Sequence, residues 1–326
     1  MNGLHVAIIG DVMLDNYWWG DTERISPEAP VPIVALRKRE SRLGGAANVA
    51  LNCRALGAKV SLCTVIGDDA AGDKLMSLAE EAGINMQPSL RSKHRATTTK
   101  TRVMARQQQM LRLDEEHAED LNTEEEHPFI DLVLRFLQRE KPQALIFEDY
   151  NKGVLKENVI KRVVAHCKEI GILTTVDPKL KNFLSFRDVD IFKPNLKEVR
   201  EGLHLAPGED LKTMASLDAV HEKLHESLHN RITFITLSDR GVYVHEEGKE
   251  SVVIPSHRRN IADVSGAGDT VIATATMVYA LTQSPRLMAE ISNIAGGIVC
   301  ESVGVVPIDK TMLEGECKRL LPELPA

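Results

Sequence analysis

Asp263-Val264-Ser265-Gly266-Ala267-Gly268-Asp269-Thr270 decides how this chain is read. Small residues let backbone come close to a ligand, and a helix-prone run to Leu281 follows at once. A helix starting here aims unpaired N–H groups and its positive dipole end at whatever lies above the turn. Asp269 puts a carboxylate beside that anion pocket. An anion hole with an adjacent base is what phosphoryl transfer to an alcohol needs. The same residues also suit an ordinary Gly-rich helix start, with Asp269 as a dipole-matched surface charge, so the rest of the chain has to separate the two.

The chain has 326 residues, 43% of them hydrophobic, and a net charge of −7. That supports a large core, either in two domains or in one doubly wound α/β sheet. The acidic balance argues against nucleic acid or an anionic membrane as the main partner. Five scattered cysteines (Cys53, Cys63, Cys167, Cys300, Cys317) form no C-x-x-C and fit a reducing cytoplasm. The apolar run Val6 to Ile9 is too short for a signal peptide. No run approaches the roughly 18 apolar residues of a membrane span.

Short apolar runs alternate with amphipathic ones, and charged residues gather where the apolar runs end. Leu4–Ile9 leads into Gly10-Asp11-Val12-Met13-Leu14-Asp15, and Ala144–Phe147 into Glu148-Asp149-Tyr150. Leu173–Val176 leads into Asp177-Pro178-Lys179, and 189–192 into Lys193-Pro194-Asn195-Leu196-Lys197-Glu198. This pattern predicts a parallel sheet with right-handed crossovers, whose strand tips form the ligand crevice. Asp11 and Asp15 are candidates for binding hydroxyls, against a plain role in turn and cap. Gly44-Gly45 opens a helix running to Leu56, with Asn48 one turn in. Asn195 and Glu198, three apart on one helix face, can hold the waters of Mg²⁺ or form a capping box.

Tyr17–Arg39 breaks the alternation. It carries Trp18, Trp19 and three prolines, and reads as strands projecting from the sheet. Thr97–Ala105 and Met110–Asp114 read as a hairpin beside them. Eight basic residues lie between Arg91 and Arg112 in a net acidic chain, which suggests an anionic group on the ligand. His221-Glu222-Lys223-Leu224-His225 matches the H-E-x-x-H of zinc proteases. The histidines flank an apolar stripe of Leu217, Val220, Leu224 and Leu228. His229 lies about 12 Å along the helix from His221, too far for zinc bonds of about 2 Å, so a solvated amphipathic helix is expected. There is no G-x-x-x-x-G-K-[ST] and no G-x-G-x-x-G after the first strand.

These residues resemble the ribokinase (PfkB-type) carbohydrate kinases. Asp263 to Asp269 is similar to the family's D-T-x-G-A-G-D, with Val264 for threonine. Gly44-Gly45 with Asn48 is similar to its first signature, and Gly67 to Gly72 to its G-x-D-x-x-G. Asn195 to Glu198 matches N-x-x-E, and Thr236 to Gly241 matches T-x-G-x-x-G, with Ser238 for the first glycine. The resemblance covers essentially the whole chain.

It implies one ribokinase-like domain over 1–326, standing alone. The sheet is expected to be doubly wound and mostly parallel, with helices on both faces and a small β-sheet lid inserted at about 16–40 and 96–114. It implies ATP and Mg²⁺, and leaves open whether a monovalent cation such as K⁺ is needed. Asp269 would be the base, with the backbone of Gly266, Ala267 and Gly268 stabilising the transferring group. Asp11, Asp15, Gly44, Gly45, Asn48 and Asp149 would hold the sugar, and Arg102, Arg106 or Lys179 a phosphate on it. Lys193, Asn195, Leu196, Lys197, Glu198, Ser238 and Gly241 would line the nucleotide, with Asn293 beside the adenine and Glu198 acting on magnesium through water. A small-molecule sugar phosphate as partner, no nucleic acid or membrane, a homodimer through the lid and a cytoplasmic location complete the expectation.

Overall fold

The first apolar run forms strand β1 (His5–Gly10), buried from end to end. The computed structural model describes residues 1, 3–106, 108–206 and 208–321. Along the chain follow β2 (Val12–Ile25), β3 (Pro32–Gly45), α1 (Ala46–Ala55), β4 (Lys59–Cys63), β5 (Val65–Gly67), α2 (Ala70–Glu81) and β6 (Leu90–Ser92). Then come β7 (Thr99–Ala105), β8 (Gln108–Glu115), α3 (Thr123–Glu140), β9 (Ala144–Glu148), α4 (Glu157–Ile170), β10 (Leu173–Asp177), β11 (Ile191–Phe192) and α5 (Leu196–Gly202). The last are α6 (Met214–Leu228), β12 (Ile232–Thr236), β13 (Val242–Glu246), β14 (Val252–Ile254), α7 (Ala267–Thr282), α8 (Pro285–Val299) and α9 (Lys310–Leu320).

The main sheet has eight strands in the order β14-β13-β12-β11-β10-β9-β1-β4. Strands β4 to β12 pair in parallel, and β13 and β14 close one edge antiparallel. Strand alternation divides the core. Val6, Ile8 and Ile146 pack with α1, α7 and α8 on one face. Ala7, Ile9, Leu145 and Phe147 pack with α3, α4 and α6 on the other. A sheet buried on both faces needs near-continuous apolar strands, which is why these runs were legible.

A second sheet, β3-β2-β7-β8, stands apart from the first. It begins earlier than the expected 16–40. β2 and β3 pair from Val12↔Gly45 outward to Ile25↔Pro32, so the ribbon starts directly after the β1 tip. The apolar run Val60–Ile66 is broken at Thr64, whose hydroxyl donates to the Gly10 carbonyl at 2.8 Å. Its second half, β5, pairs with β6 in a separate two-stranded sheet.

Candidate active site

Strand β1 has β4 on one side and β9 on the other. The strand order therefore reverses between β1 and β9, and a crevice opens at their carboxyl ends. Asp11, one residue past β1, ties the two tips together. Its Oδ2 accepts from the backbone N–H of Tyr150 (2.9 Å) and Lys152 (3.0 Å), and its Oδ1 from that of Val154 (3.0 Å). Asp11 was expected to bind a sugar hydroxyl; in the structure its carboxylate accepts three backbone hydrogen bonds that shape the 150–154 loop. Asp15 takes the position against the glycine pair. It accepts from Arg102 at 2.5 Å, and a Cβ on Gly44 would come within 2.1 Å of its Oδ2. No side chain fits at position 44 while Asp15 holds this position.

Gly266 caps α7 with φ 79°, a left-handed conformation that costs glycine little. A Cβ there would also press on the Asn48 amide at 3.0 Å. The first turns of α1 and α7 are thus brought together, and Asn48 Nδ2 donates to Asp269 Oδ2 at 2.7 Å. The other carboxylate oxygen, Oδ1, accepts from the Tyr150 hydroxyl at 2.8 Å. Asp269 is 5% exposed. Burial pushes its pKa up to about 6, against the two donors, which favour the ionised form. At neutral pH it is a carboxylate able to take a proton, in the first turn of a helix, where the Ala267 N–H donates to the Val264 carbonyl at 3.3 Å.

Three further carboxyls lie at the neighbouring strand tips. Asp149, expected over the sugar, is held in its own turn by the Asn151 N–H at 2.7 Å, and burial and then the Asp11 charge raise it to about 7. The residue before it, Glu148, lies on the face of β9 that carries Ile146 toward α7, because side chains alternate along a strand. Glu148 is fully buried, and neither carboxyl oxygen has a hydrogen-bond partner among the described residues. Burial first, then the charges of Asp177 and Asp269, hold its pKa well above the usual carboxylate range. Asp177, at the tip of β10, behaves oppositely. Burial alone would raise it, but Lys179 (3.2 Å) and Lys193 (2.7 Å) together keep it low.

Asn195 and Glu198 form a full capping box on α5: Asn195 Oδ1 accepts from the Glu198 N–H at 2.9 Å, and Glu198 Oε2 from the Asn195 N–H at 2.8 Å. Glu198 Oε1 accepts from Lys179 at 2.5 Å. Lys179, expected at a substrate phosphate, therefore bridges Asp177 and Glu198, and Lys193 is buried against Asp177. Leu196 and Lys197 open α5, with Lys197 reaching outward to Glu201 at 3.8 Å. Ser238 has φ 60°, a conformation that a glycine would supply without strain, and Gly241 closes the turn into β13. Asn293 ties α8 to the Pro255 carbonyl at 2.9 Å. Arg106 is exposed at the β7–β8 turn with φ 55°, four residues beyond Arg102 on the lid, so it does not join Asp15 within the chain.

The H-E-x-x-H histidines are not arranged as a solvated face. His221 is buried with Nδ1 2.8 Å from Thr233 Oγ1, and its ring lies 3.8 Å from that of His245. His225 Nδ1 pairs with the Asn230 carbonyl oxygen at 3.0 Å. Glu148 and Tyr150 were given no role from sequence. Strand parity could have pointed to Glu148, but no local signal marks Tyr150.

A doubly wound sheet, a small second sheet over its crevice and a buried acid at a Gly-rich helix start define a sugar kinase. The pfkB family carbohydrate kinases match residues 4–311, and the chain belongs to that family. Bifunctional protein HldE of Methylobacillus flagellatus is 40% identical over 311 residues, 95% of this chain and 62% of the relative. Bifunctional protein HldE of Campylobacter curvus is 35% identical over 319 residues, 98% of this chain and 65% of the relative. The chain thus spans less than two thirds of the length of these relatives. Among solved structures, Escherichia coli phosphofructokinase-2 in complex with potassium aligns with a TM-score of 0.76 at 16% identity, covering 96% of this chain and 97% of the other. Arabidopsis thaliana ribokinase complexed with ribose and ATP aligns at 0.71 and 15%, covering 96% and 98%. At these identities the likeness is one of fold.

Proposed function

We propose that the chain transfers the terminal phosphoryl group of ATP to the 1-hydroxyl of D-glycero-β-D-manno-heptose 7-phosphate. The product would be the 1,7-bisphosphate, on the route to the ADP-heptose of lipopolysaccharide. The observation that carries the reading is Asp269: buried, ionised near neutrality, and in the first turn of α7. Asp269 takes the proton of the acceptor hydroxyl, and the backbone N–H groups of Gly266 to Asp269 stabilise the charge on the transferring group. Asp15, Gly44, Gly45 and Asn48 hold the sugar.

The substrate assignment rests on three long stretches. Gly10 to Asp15, Arg24 to Pro32 and Lys100 to Asp114 resemble the heptose 7-phosphate kinases; Gln107, in the third, lies outside the described residues. The similarity to HldE proteins over 92–98% of this chain supports it. So do Lys100 and Arg102, which lie near Tyr150 and Asp15 and could grip a phosphate.

Glu198 is the candidate for holding Mg²⁺ through water. The Lys179 ammonium bridges Glu198 and Asp177, and Lys193 also meets Asp177, so a magnesium ion would meet Glu198 through its retained water shell rather than directly. Bound magnesium would neutralise the triphosphate charge. We read 1–326 as one cytoplasmic kinase domain; among the described residues no helix is long and apolar enough to cross a membrane. The outer face of the lid carries Trp18, Val103 and Leu111 in one cross-strand row. Leu36, Leu111 and Leu113 are exposed around it, which favours a homodimer through this face.

An ADP-release assay across phosphorylated and free sugars tests the substrate. Heptose 7-phosphate should exceed the dephosphorylated heptose in kcat/KM by tenfold to a hundredfold or more, because losing a charge-assisted contact costs about 1.5–3 kcal/mol. If free heptose, fructose or ribose is the better substrate, the heptose assignment falls and family membership stands.

A further inference from the structure

We infer that Tyr150 is a positioning residue for the reaction: its hydroxyl, donated to Asp269 Oδ1 at 2.8 Å, orients the base and holds it in its ionised form. This rests on the reading of Asp269 as the base.

Three observations carry it. First, the contact is prearranged. The Tyr150 N–H is one of three backbone donors fixed by Asp11, and the Asp149 N–H donates to the Asp177 carbonyl at 3.2 Å, so the residue is anchored on both sides. Second, the ring joins the two halves of the site. The Lys100 ammonium, from lid strand β7, lies 5.8 Å from its centroid, and the Lys179 ammonium, from beyond β10, lies 5.5 Å away. Cations over an aromatic face are attracted to it, so the phenol is held between lid and strand tips. Third, Asp269 needs the donor. It is 5% exposed, and a buried carboxylate without hydrogen bonds is costly.

The groups facing Asp269 are Asn48 from α1, Tyr150 and Glu148 from β9 and its loop, and Asp177 and Lys179 from β10 and its loop. Asp177 disfavours charge on Asp269, and an ionised Glu148 would do the same. Asn48 and Tyr150 are the two that favour it by direct hydrogen bonds. Burial, then the neighbouring Asp269 charge, raises the Tyr150 pKa well above its usual value, so the phenol remains a donor throughout the working range. Each carboxylate oxygen can accept more than one hydrogen bond, so Oδ1 can hold the Tyr150 hydroxyl and still receive the acceptor hydroxyl.

The test compares Tyr150→Phe with the wild type, with Asp269→Asn as control, in kcat/KM for the sugar phosphate against pH. Phenylalanine keeps the ring between the lysines and removes only the donor. Losing one hydrogen bond to the charged form should raise the acid-side midpoint by roughly half a unit to two units. The loss should be severalfold or more below pH 6.5 and largely recovered by about pH 9, with KM for ATP unchanged. A packing role would lower the plateau and leave the midpoint where it is. An unmoved midpoint in Tyr150→Phe, with Asp269→Asn inactive, overturns the role of Tyr150 and leaves the base in place. Normal turnover by Asp269→Asn overturns both.

Discussion

Asn48 Nδ2 donates to Asp269 Oδ2 at 2.7 Å, joining the first turns of two helices whose contacting residues are 221 apart in sequence. The bond sits where both side chains are almost wholly buried, so neither group has water as an alternative. Asn48→Ala should leave Asp269 Oδ2 without this donor, at a cost of about 1–3 kcal/mol. We expect a kcat lower by about fivefold to a hundredfold at pH 7. The optimum should move upward, because the lost donor favoured the carboxylate. Unchanged kcat at pH 7 would mean that the bond serves only to pack α1 on α7.

Glu198 has two duties to separate. One oxygen completes the capping box and the other meets Lys179. Glu198→Gln keeps the amide-compatible cap and removes the charge. The magnesium concentration giving half-maximal rate should rise. An unaltered magnesium titration with normal rate would leave Glu198 with the helix cap alone.

The lid face predicts assembly. Leu111 and Leu113 are about half exposed (52% and 48%) beside Trp18 and Val103. Light scattering at tens of micromolar should give a dimer, and Leu111→Lys combined with Leu113→Lys should give monomers. A monomeric wild type would remove the lid interface.

The histidine cluster predicts acid sensitivity. Burial, with His245 and His225 adding like charge, lowers the His221 pKa to about 4. The unfolded chain takes up this proton near pH 6.5 and the folded chain resists it. Stability is therefore complete above pH 6.5 and lost as pH falls toward 4, by at most roughly 3 kcal/mol. His221→Gln should narrow the difference between urea midpoints measured at pH 7 and pH 4.5. An equal difference in variant and wild type would contradict this.

Asp269, Asn48 and the main sheet were legible because each rests on a local rule: a Gly-rich helix start, a residue one turn into a helix, apolar runs ending in charge. What escaped depends on which way a side chain turns. Asp11 and Asp15 follow the same strand, and only the loop folding back from β9 commits Asp11 to three backbone donors. Asp149 and Glu148 differ by one position, which is one face of a strand. Lys179 reads as a phosphate ligand until α5 brings Glu198 beside it. His221 reads as a helix flank until β13 delivers His245 against its ring. The break at Thr64 follows from a bond to Gly10, a partner 54 residues away.

The central claim is that Asp269 removes the proton from a sugar hydroxyl. Its most direct test is the turnover of Asp269→Asn under saturating ATP and heptose 7-phosphate, with sugar binding measured separately by calorimetry. Asparagine keeps the shape and withdraws the base. We predict a kcat lower by about 10² or more, the scale of a lost general base, with sugar affinity within a few fold of wild type. A kcat within threefold of wild type would contradict the account.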